Sequence, residues 1–470
     1  MNNRPYIIPL TYCEPINAFN NFANEQTSIF LDSATQSGGR GRYSYIAYDP
    51  YKVIRAEDFG DPFSKLEENL KPKQFHKDKR LPPFQGGAIG YFGYELGRYM
   101  EKLPKPKRGL DISDMILGFF DTVAAFDTLK KKAWVIAHDI VPKFDEKNIV
   151  QSNLTSSRLP KAKRAQIMAS RITSKVPELQ IDWTSTSHWR ADLSRAEYEA
   201  MVLQVKKYIY AGDIFQANVT QRLLADLPEE LSPFMLYKRL RALSPAPFGA
   251  YLRFNSSTIL SASPERFLSL DPEGLAITRP IKGTRPRGHN VDEDEAMAKE
   301  LLSSEKDQAE NLMIVDLLRN DLSRVCRLGS VEVSELARLE SFANVHHLVS
   351  EIRGTLFPTL GPIDLLRATF PGGSITGAPK VRAMEIIHEL EPVRRGPYCG
   401  AIAWIGFDGA MDSSIVIRSL VVEGSRIAAQ AGGGIVADSN PSAEFYETMD
   451  KIWPLLQSLD PVDFVRKQVL

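Results

Sequence analysis

The chain is short of cysteine. Its 470 residues hold three, Cys13, Cys326 and Cys399, far apart and odd in number. No disulfide framework follows from that pattern, and it fits a reducing compartment, so the cytoplasm is the expected location. Histidine is scarce as well, with seven in all and only His346 and His347 adjacent. No Cys–His cluster has the spacing of a transition-metal site. Neither sign of charge is in excess, since lysine plus arginine and aspartate plus glutamate each number 58. That balance gives no footprint for nucleic acid or for an anionic membrane surface. No apolar run approaches the roughly 18 residues of a membrane span, and the first residues lack a charged-then-apolar leader pattern. Two nucleotide signatures also fail. Gly87, Gly90 and Gly93 are not spaced as GxGxxG, and close backbone packing accounts for them better. Pro371–Lys380 has the look of a P-loop but no G-K-[ST].

What is present divides the chain in three. Residues 1–150 alternate short strand-like runs (Ser28–Asp32, Tyr43–Tyr48, Lys52–Ala56) with turn clusters, and Phe119–Phe126 and Ala133–His138 suggest a hairpin across Lys130–Lys132. Residues 151–193 are polar and basic and read as a helix followed by a connector, with a solvated face. From 194 to 460 the signals sharpen. Ser194 and Glu197 form a capping box ahead of a helix carrying Tyr198, Met201, Val202, Val205 and Ile209 on one face, closed at Gly212. Phe248–Phe254 and Thr258–Leu270 alternate as strands, and Leu275–Ile281 resumes after the turn at Asp271–Gly274. Asp292–Val325 reads as two helices broken at Ser303-Ser304. Ala401–Phe407 and Ser414–Val422 are strands, and Asn440-Pro441 opens a last helix.

Three features carry chemistry. Lys282 stands at the expected end of a strand, between Pro280 and a Gly-Thr pair, with apolar neighbours before it. Desolvated there, it would favour the neutral amine that a nucleophile needs; alternatively it is a surface lysine in a basic loop with Arg279, Arg285 and Arg287. The demand is steep: with a pKa of about 10.4 only about 0.1% of a lysine is neutral near pH 7.5, and a three-unit reduction costs about 4 kcal/mol. Asp307 and Glu310, then Glu444 and Glu447, are i, i+3 acidic pairs on two helices. They suit a hard cation such as Mg²⁺, which takes one or two direct carboxylates and keeps waters, or else they are two solvated faces, with Glu447 paired to Lys451. Gly432–Gly434 either offers backbone N–H groups to an anion or makes a tight strand-to-helix turn.

Six motifs then resemble one family: SASPERF (Ser261–Phe267), RPIKGTRPRG (Arg279–Gly288), ENLMIVDLLRNDLSRV (Glu310–Val325), PGGSITGAPK (Pro371–Lys380), YCGAIAWIGFDGAMDSSIVIRS (Tyr398–Ser419) and AGGGIVADSNPSAEFYETMDK (Ala431–Lys451). Together they look like the chorismate-utilising enzymes, which include anthranilate, isochorismate and salicylate synthases, and most of all like their aminodeoxychorismate synthase component I branch. FLDSATQSGGRGRYSYIAYDP (Phe30–Pro50) matches more weakly. The resemblance implies an α+β fold like that of anthranilate synthase component I, with antiparallel β-sheets packed face to face and helices outside. It implies a Mg²⁺-dependent amination of chorismate at C4 towards 4-aminobenzoate and folate. By the same resemblance Lys282 is the covalent nucleophile, at a position where similar anthranilate synthases have alanine, and Glu265 is the general acid. Glu310 and Glu447 match the Mg²⁺ ligands and Asp307 and Glu444 the outer carboxylates. Thr284, His347, Tyr398, Arg418, Gly432, Gly434 and Lys451 match positions in the substrate pocket. Gln216 stands where the water-adding relatives carry a lysine base, which argues against water as the nucleophile.

No glutaminase domain is evident in the sequence, and Cys399 lies in a strand-like run, so the resemblance implies a separate glutamine amidotransferase subunit, component II, as the ammonia source. Some relatives hold an amino acid, usually tryptophan, in the N-terminal region. Ser33, Arg40, Gly41, Arg42 and Tyr43, with Pro247, Phe248 and Gly249, fall where such a pocket would be, or pack as a plain loop. The rival expectations are an anthranilate synthase component I, which would also release pyruvate, and a non-catalytic chorismate-binding subunit.

Overall fold

The computed structural model describes residues 4–35, 41–70, 75–139, 159–174, 188–341 and 345–460. Two antiparallel sheets dominate it. The first has twelve strands. Its main path runs Tyr6–Leu10, Lys132–Ala137, Thr122–Asp127, Tyr43–Tyr48, Thr27–Asp32, Phe248–Phe254, Ser257–Ser263, Ser419–Glu423, Arg426–Ile435, Gln216–Asp226 and Gly377–Ala378. The second has ten strands and runs from Ile281–Pro286 through Val345–Thr355, Leu275–Thr278, Arg266–Leu270, Met411–Ile415, Ala401–Gly406, Gly87–Phe92 and Met115–Phe120 to Lys52–Arg55. Both sheets therefore draw strands from before residue 150 and from after residue 194.

The inner faces meet in one apolar layer, with Ile29, Tyr45, Leu252 and Val421 of the first sheet against Ile89, Tyr91, Ile402 and Trp404 of the second. Helices cover both outer faces. Lys161–Thr173, Arg195–Tyr210, Pro233–Leu243 and Pro441–Leu459 bury Met168, Val202, Leu236 and Ile452 on the first sheet. Pro62–Leu70, Glu305–Ser323 and Pro362–Thr369 bury Leu66, Leu318 and Leu365 on the second. The arrangement is the α+β, face-to-face architecture expected from the sequence.

Local chemistry explains most boundaries. Ser194 accepts from the Glu197 amide in a complete capping box, Ser304 accepts from the Asp307 amide, and Asn440 accepts from the Ala443 amide ahead of Pro441. Gly87 and Gly90 let strands pack where a Cβ would come within 2.0 Å of the Ile405 carbonyl and 1.9 Å of the Ile116 carbonyl. The expected basic stretch contains the helix Lys161–Thr173, while residues 140–158 and 175–187 lie outside the described residues.

Sequence expectations are corrected where an apolar run changes sheets or continues through a break signal, and Thr258–Leu270 is one such run, split into Ser257–Ser263 and Arg266–Leu270. Phe119–Phe126 is two strands, since the chain leaves the second sheet at Phe120 and enters the first at Thr122. Ser414–Val422 divides the same way, with Met411–Ile415 in the second sheet and Ser419–Glu423 in the first. The crossing falls at Val416–Arg418, and Arg418 takes φ 52°. Gly432–Gly434 is no turn: it is the end of the strand Arg426–Ile435, paired with Asn218–Thr220.

Candidate active site

One cavity of about 600 Å³ opens where the two sheets and the helices Glu305–Ser323 and Pro441–Leu459 converge. Each element supplies a different kind of group. Lys282 comes from the strand Ile281–Pro286, the end of the ten-stranded sheet. The sequence puts the strand's end before this lysine, but Pro280 only interrupts the ladder: Ile281 restarts it against Val349, and the register slips between Lys282 and Thr284. Gly283, at φ 82°, makes that slip and packs against Asp307, where a Cβ would come within 3.1 Å of the Asp307 side chain.

Glu265 sits in the two-residue gap between the strands Ser257–Ser263 and Arg266–Leu270 and is 7% exposed. Its Oε1 accepts a hydrogen bond from Ser374 Oγ at 2.8 Å. Burial pushes its carboxyl up to about 7, against the pull of Ser374 and the positive charge of Lys282. Lys282 moves the opposite way. Burial lowers its pKa, with Lys451 adding to the effect and Glu310, Glu265 and Glu447 opposing it. An acid raised towards neutrality thus faces an amine lowered towards it.

The acidic helices meet across the same space. Glu310 is pushed up by burial and by Asp307 and Glu447, while Lys282 and Lys306 pull it down. For Glu447 burial is outweighed by the ion pair with Lys451, 2.6 Å away, and it stays low. Asp307 pairs with Arg285 at 2.9 Å, and Glu444 accepts from Ser439 Oγ at 2.7 Å. Among the described residues no group of three or more His, Cys, Asp or Glu side chains converges to hold a metal. A Mg²⁺ ion needs less. Two carboxylates, Glu310 and Glu447, with waters and a substrate oxygen fit its habit, and the all-oxygen donor set suits a hard cation.

The remaining wall is polar and shaped. Thr284 Oγ1 lies 2.8 Å from His347 Nδ1. Arg418 donates through Nη1 to the Lys451 carbonyl at 2.9 Å, and Lys451 Nζ donates to the Gly432 carbonyl at 3.0 Å. Arg418 is half-buried, and the loss of surrounding water lowers its pKa; its fork is only partly used. Tyr398 and Cys399 follow one another, with Cys399 at φ 60° and its thiol pushed up to about 12 by burial. Such a thiol is inert as a nucleophile.

Every catalytic, substrate and metal position singled out in the sequence lines this one cavity: Lys282, Glu265, Thr284, His347, Tyr398, Arg418, Gly432, Gly434, Lys451, Glu310, Glu447, Asp307 and Glu444. Sequence reasoning missed Asn218, Thr220, Ser374, Gln430 and Lys306, which line it too. For Ser374 the signal was the Pro371–Lys380 motif, rejected as a nucleotide loop and counted towards the family resemblance without a role for its serine. Gln216 is fully buried behind the wall, and a Cβ on Gly434 would come within 2.0 Å of its Nε2. A second cavity of about 340 Å³ lies between the sheets, lined by Ser33, Gly41, Arg42, Tyr43, Pro247, Phe248 and Gly249 together with Arg266, Trp404 and Asp412. Arg40 lies outside the described residues.

Against known proteins, residues 26–457 match the family of chorismate binding enzymes. The chain belongs to this family of chorismate-binding enzymes. It is 40% identical over 464 residues to aminodeoxychorismate synthase component 1 of Salmonella typhimurium, covering 98% of this chain and 94% of that protein. It is 35% identical to anthranilate synthase component 1 of Acetivibrio thermocellus, covering 98% and 97%. The crystal structure of anthranilate synthase component I from Streptococcus pneumoniae superposes with a TM-score of 0.73 at 31% identity, covering 97% of this chain and 92% of that one. A chorismate-binding enzyme thus has its cavity at the join of the two sheets. No described helix is long and apolar enough to cross a membrane.

Proposed function

We propose that this enzyme aminates chorismate at C4, giving 4-amino-4-deoxychorismate through a covalent adduct on Lys282. The observation that carries the reading is the opposed pair: Glu265, raised to about 7, beside Lys282, lowered by burial. The neutral Lys282 amine attacks C2 of the ring. The double bond shifts, the C4–O bond breaks, and Glu265 gives its proton to the departing hydroxyl, which leaves as water. Ammonia then attacks C4, the double bond returns, and the C2–N bond to Lys282 breaks, restoring the amine. Arg418 and Thr284 orient the substrate's carboxylate and hydroxyl groups, and the cavity wall around Glu265 and Tyr398 excludes water. Glu310 and Glu447 would hold Mg²⁺, with Asp307 and Glu444 outside them, and the bound ion would neutralise a ring carboxylate and take up transition-state charge.

The ammonia source in this reading is a separate glutamine amidotransferase subunit, and the setting is folate precursor synthesis in the cytoplasm. Similarity to proteins called component 1 supports a partner component. The second cavity suits an amino acid, because the Arg42–Asp127 and Arg266–Asp412 pairs could exchange partners with a zwitterion. Calorimetric titration with the common amino acids tests that part, and no heat with any of them removes it.

The deciding experiment incubates purified enzyme with chorismate, Mg²⁺ and ammonium, then examines product and protein by mass spectrometry. 4-Amino-4-deoxychorismate without pyruvate, with a chorismate-derived mass on Lys282, is the expected result. Anthranilate with pyruvate would overturn it in favour of the anthranilate reading.

A further inference from the structure

Behind the cavity wall lies a buried ion pair that touches no substrate space. Arg395 and Glu391 are each 4% exposed, and neither lines the cavity. Arg395 grips Glu391 with both edges of its fork, Nε to Oε2 at 2.9 Å and Nη2 to Oε1 at 2.6 Å. Two further N–H groups go to main-chain carbonyls, Nη1 to Ile375 at 3.1 Å and Nη2 to Asn218 at 2.6 Å. Glu391 Oε1 also accepts from the Thr220 amide at 3.0 Å and the Thr220 hydroxyl at 2.9 Å. The pair therefore ties together two walls of the cavity, the strand carrying Asn218 and Thr220 and the turn Gly373–Ile375. A third is its own segment, which Glu95 fixes by accepting the Arg395 and Gly396 amides at 2.8 and 2.9 Å and which leads on to Tyr398.

These walls converge on the acid. Asn218 Nδ2 donates to the Ser374 carbonyl at 2.9 Å, and Ser374 Oγ donates to Glu265 Oε1. We infer that the Arg395–Glu391 pair is a positioning unit for the reaction, holding Asn218 and the Gly373–Ile375 turn so that Ser374 stays aimed at Glu265. The inference rests on the reading of Glu265 as general acid, whichever amine product forms. An arginine is needed because only its planar fork grips one carboxylate and two carbonyls together; lysine keeps the charge without that geometry. Such a fully buried pair is weak evidence for a role in stability alone, since well-packed apolar residues often replace one at little cost.

The physical consequence is a pH signature. The groups facing the Glu265 carboxyl are Ser374 from the turn, Lys282 and the Ile281 amide from the strand opposite, and Cys399 from the segment after Arg395. Lys282 titrates and contributes its own limb to a profile, while the Cys399 thiol, raised to about 12, stays protonated throughout the working range. Ser374 is neutral throughout the working range, and its bond favours the ionised acid. Losing it raises the pKa of Glu265 and moves the alkaline limb of kcat upward.

The experiment compares pH profiles of ammonium-dependent turnover, corrected for free ammonia, in wild type, Ser374→Ala, Arg395→Lys and the double variant. Ser374→Ala should move the alkaline limb up by about half to one pH unit. Arg395→Lys should move it by a similar amount, with kcat falling about tenfold and KM changing less than threefold, because the unit acts on the acid and not on substrate binding. The double variant should move it no further than either single one. If Arg395→Lys does not fold, Asn218→Ala, which removes the same tether on Ser374, takes its place and should give the same shift. A limb that stays put in Ser374→Ala, or additive shifts in the double variant, would overturn the inference. So would an Arg395→Lys enzyme with lower kcat and an unmoved limb. Wild-type turnover and product identity report separately on the underlying reading.

Discussion

Replacing Glu265 with glutamine should make the protein more stable and nearly inactive, and the gain in stability should depend on pH in a way that only a strained acid produces. The carboxyl is 7% exposed and its pKa rises from about 4.5 to about 7, chiefly because burial penalises the charge. That rise corresponds to about 3 kcal/mol between protonation states. Below pH 4.5 the acid is protonated in both the folded and the unfolded chain, so it costs nothing. Between pH 4.5 and 7 the unfolded chain ionises while the folded one does not, and stability drains away; above 7 the loss is complete. Glutamine keeps the shape and the acceptor for Ser374 Oγ but cannot ionise. The stability difference, Glu265→Gln over wild type, should therefore be about 2.5 kcal/mol larger at pH 8 than at pH 5. Urea unfolding at the two pH values measures it. Turnover should fall by about 10² to 10⁴, the usual contribution of a general acid. A variant with equal stability gain at both pH values would show that Glu265 is not held as a raised-pKa acid, and the proposed proton transfer would lose its physical basis.

Other perturbations test other parts of the cavity. Lys282→Ala should abolish the protein adduct and cut formation of 4-amino-4-deoxychorismate by about 10²-fold or more, read by product analysis. It should also raise the pKa of Glu265, since Lys282 is one of the charges now pulling it down. Glu310→Gln should weaken Mg²⁺ binding about tenfold or more in calorimetry without substrate, with an unchanged circular dichroism spectrum. Gly432→Ala should lower the urea midpoint by about 1 to 3 kcal/mol of stability, because the new Cβ falls 2.1 Å from the Val219 carbonyl and 2.6 Å from Thr220 Cγ2 and forces the strands apart.

The sequence was most legible where one local rule acts alone. The caps at Ser194, Ser304 and Asn440 stand where side-chain chemistry requires them, and the i, i+3 acidic pairs do point from two helices into one space. It was least legible where the chain changes sheets. Phe119–Phe126 and Ser414–Val422 read as continuous strands because both sheets are apolar on the face that meets the other, so alternation persists across the crossing. The strand expected over Leu275–Ile281 stops at Thr278, because Pro280 removes an amide, yet the ladder resumes at Ile281 and runs on past Lys282. Ser374 was invisible as a partner of Glu265, being more than a hundred residues away in sequence. Spacing reports neighbours on one element; it carries no information about which turn a distant loop presents to an acid.

The sheet crossings are also where the site is made. Glu265 occupies the gap between a strand of the first sheet and one of the second, and Arg418 lies in a second such gap. At a crossing each keeps one backbone bond to a neighbouring strand, the Glu265 carbonyl accepting from the Ile415 amide and the Arg418 carbonyl from the Ala262 amide, and both side chains line the cavity. A buried carboxyl at a crossing thus shares the cavity with Lys282 from the edge strand Ile281–Pro286. The cost appears in the backbone: Cys399 and Arg418 sit at φ 60° and 52°, a region that non-glycine residues seldom adopt, and both flank the cavity. Strain of this kind persists only where the surroundings over-determine it. The surroundings are the strands Ser257–Ser263, Ser419–Glu423 and Arg426–Ile435 on one side and the helix Pro441–Leu459 on the other, locked at the Lys451 carbonyl by Arg418 itself.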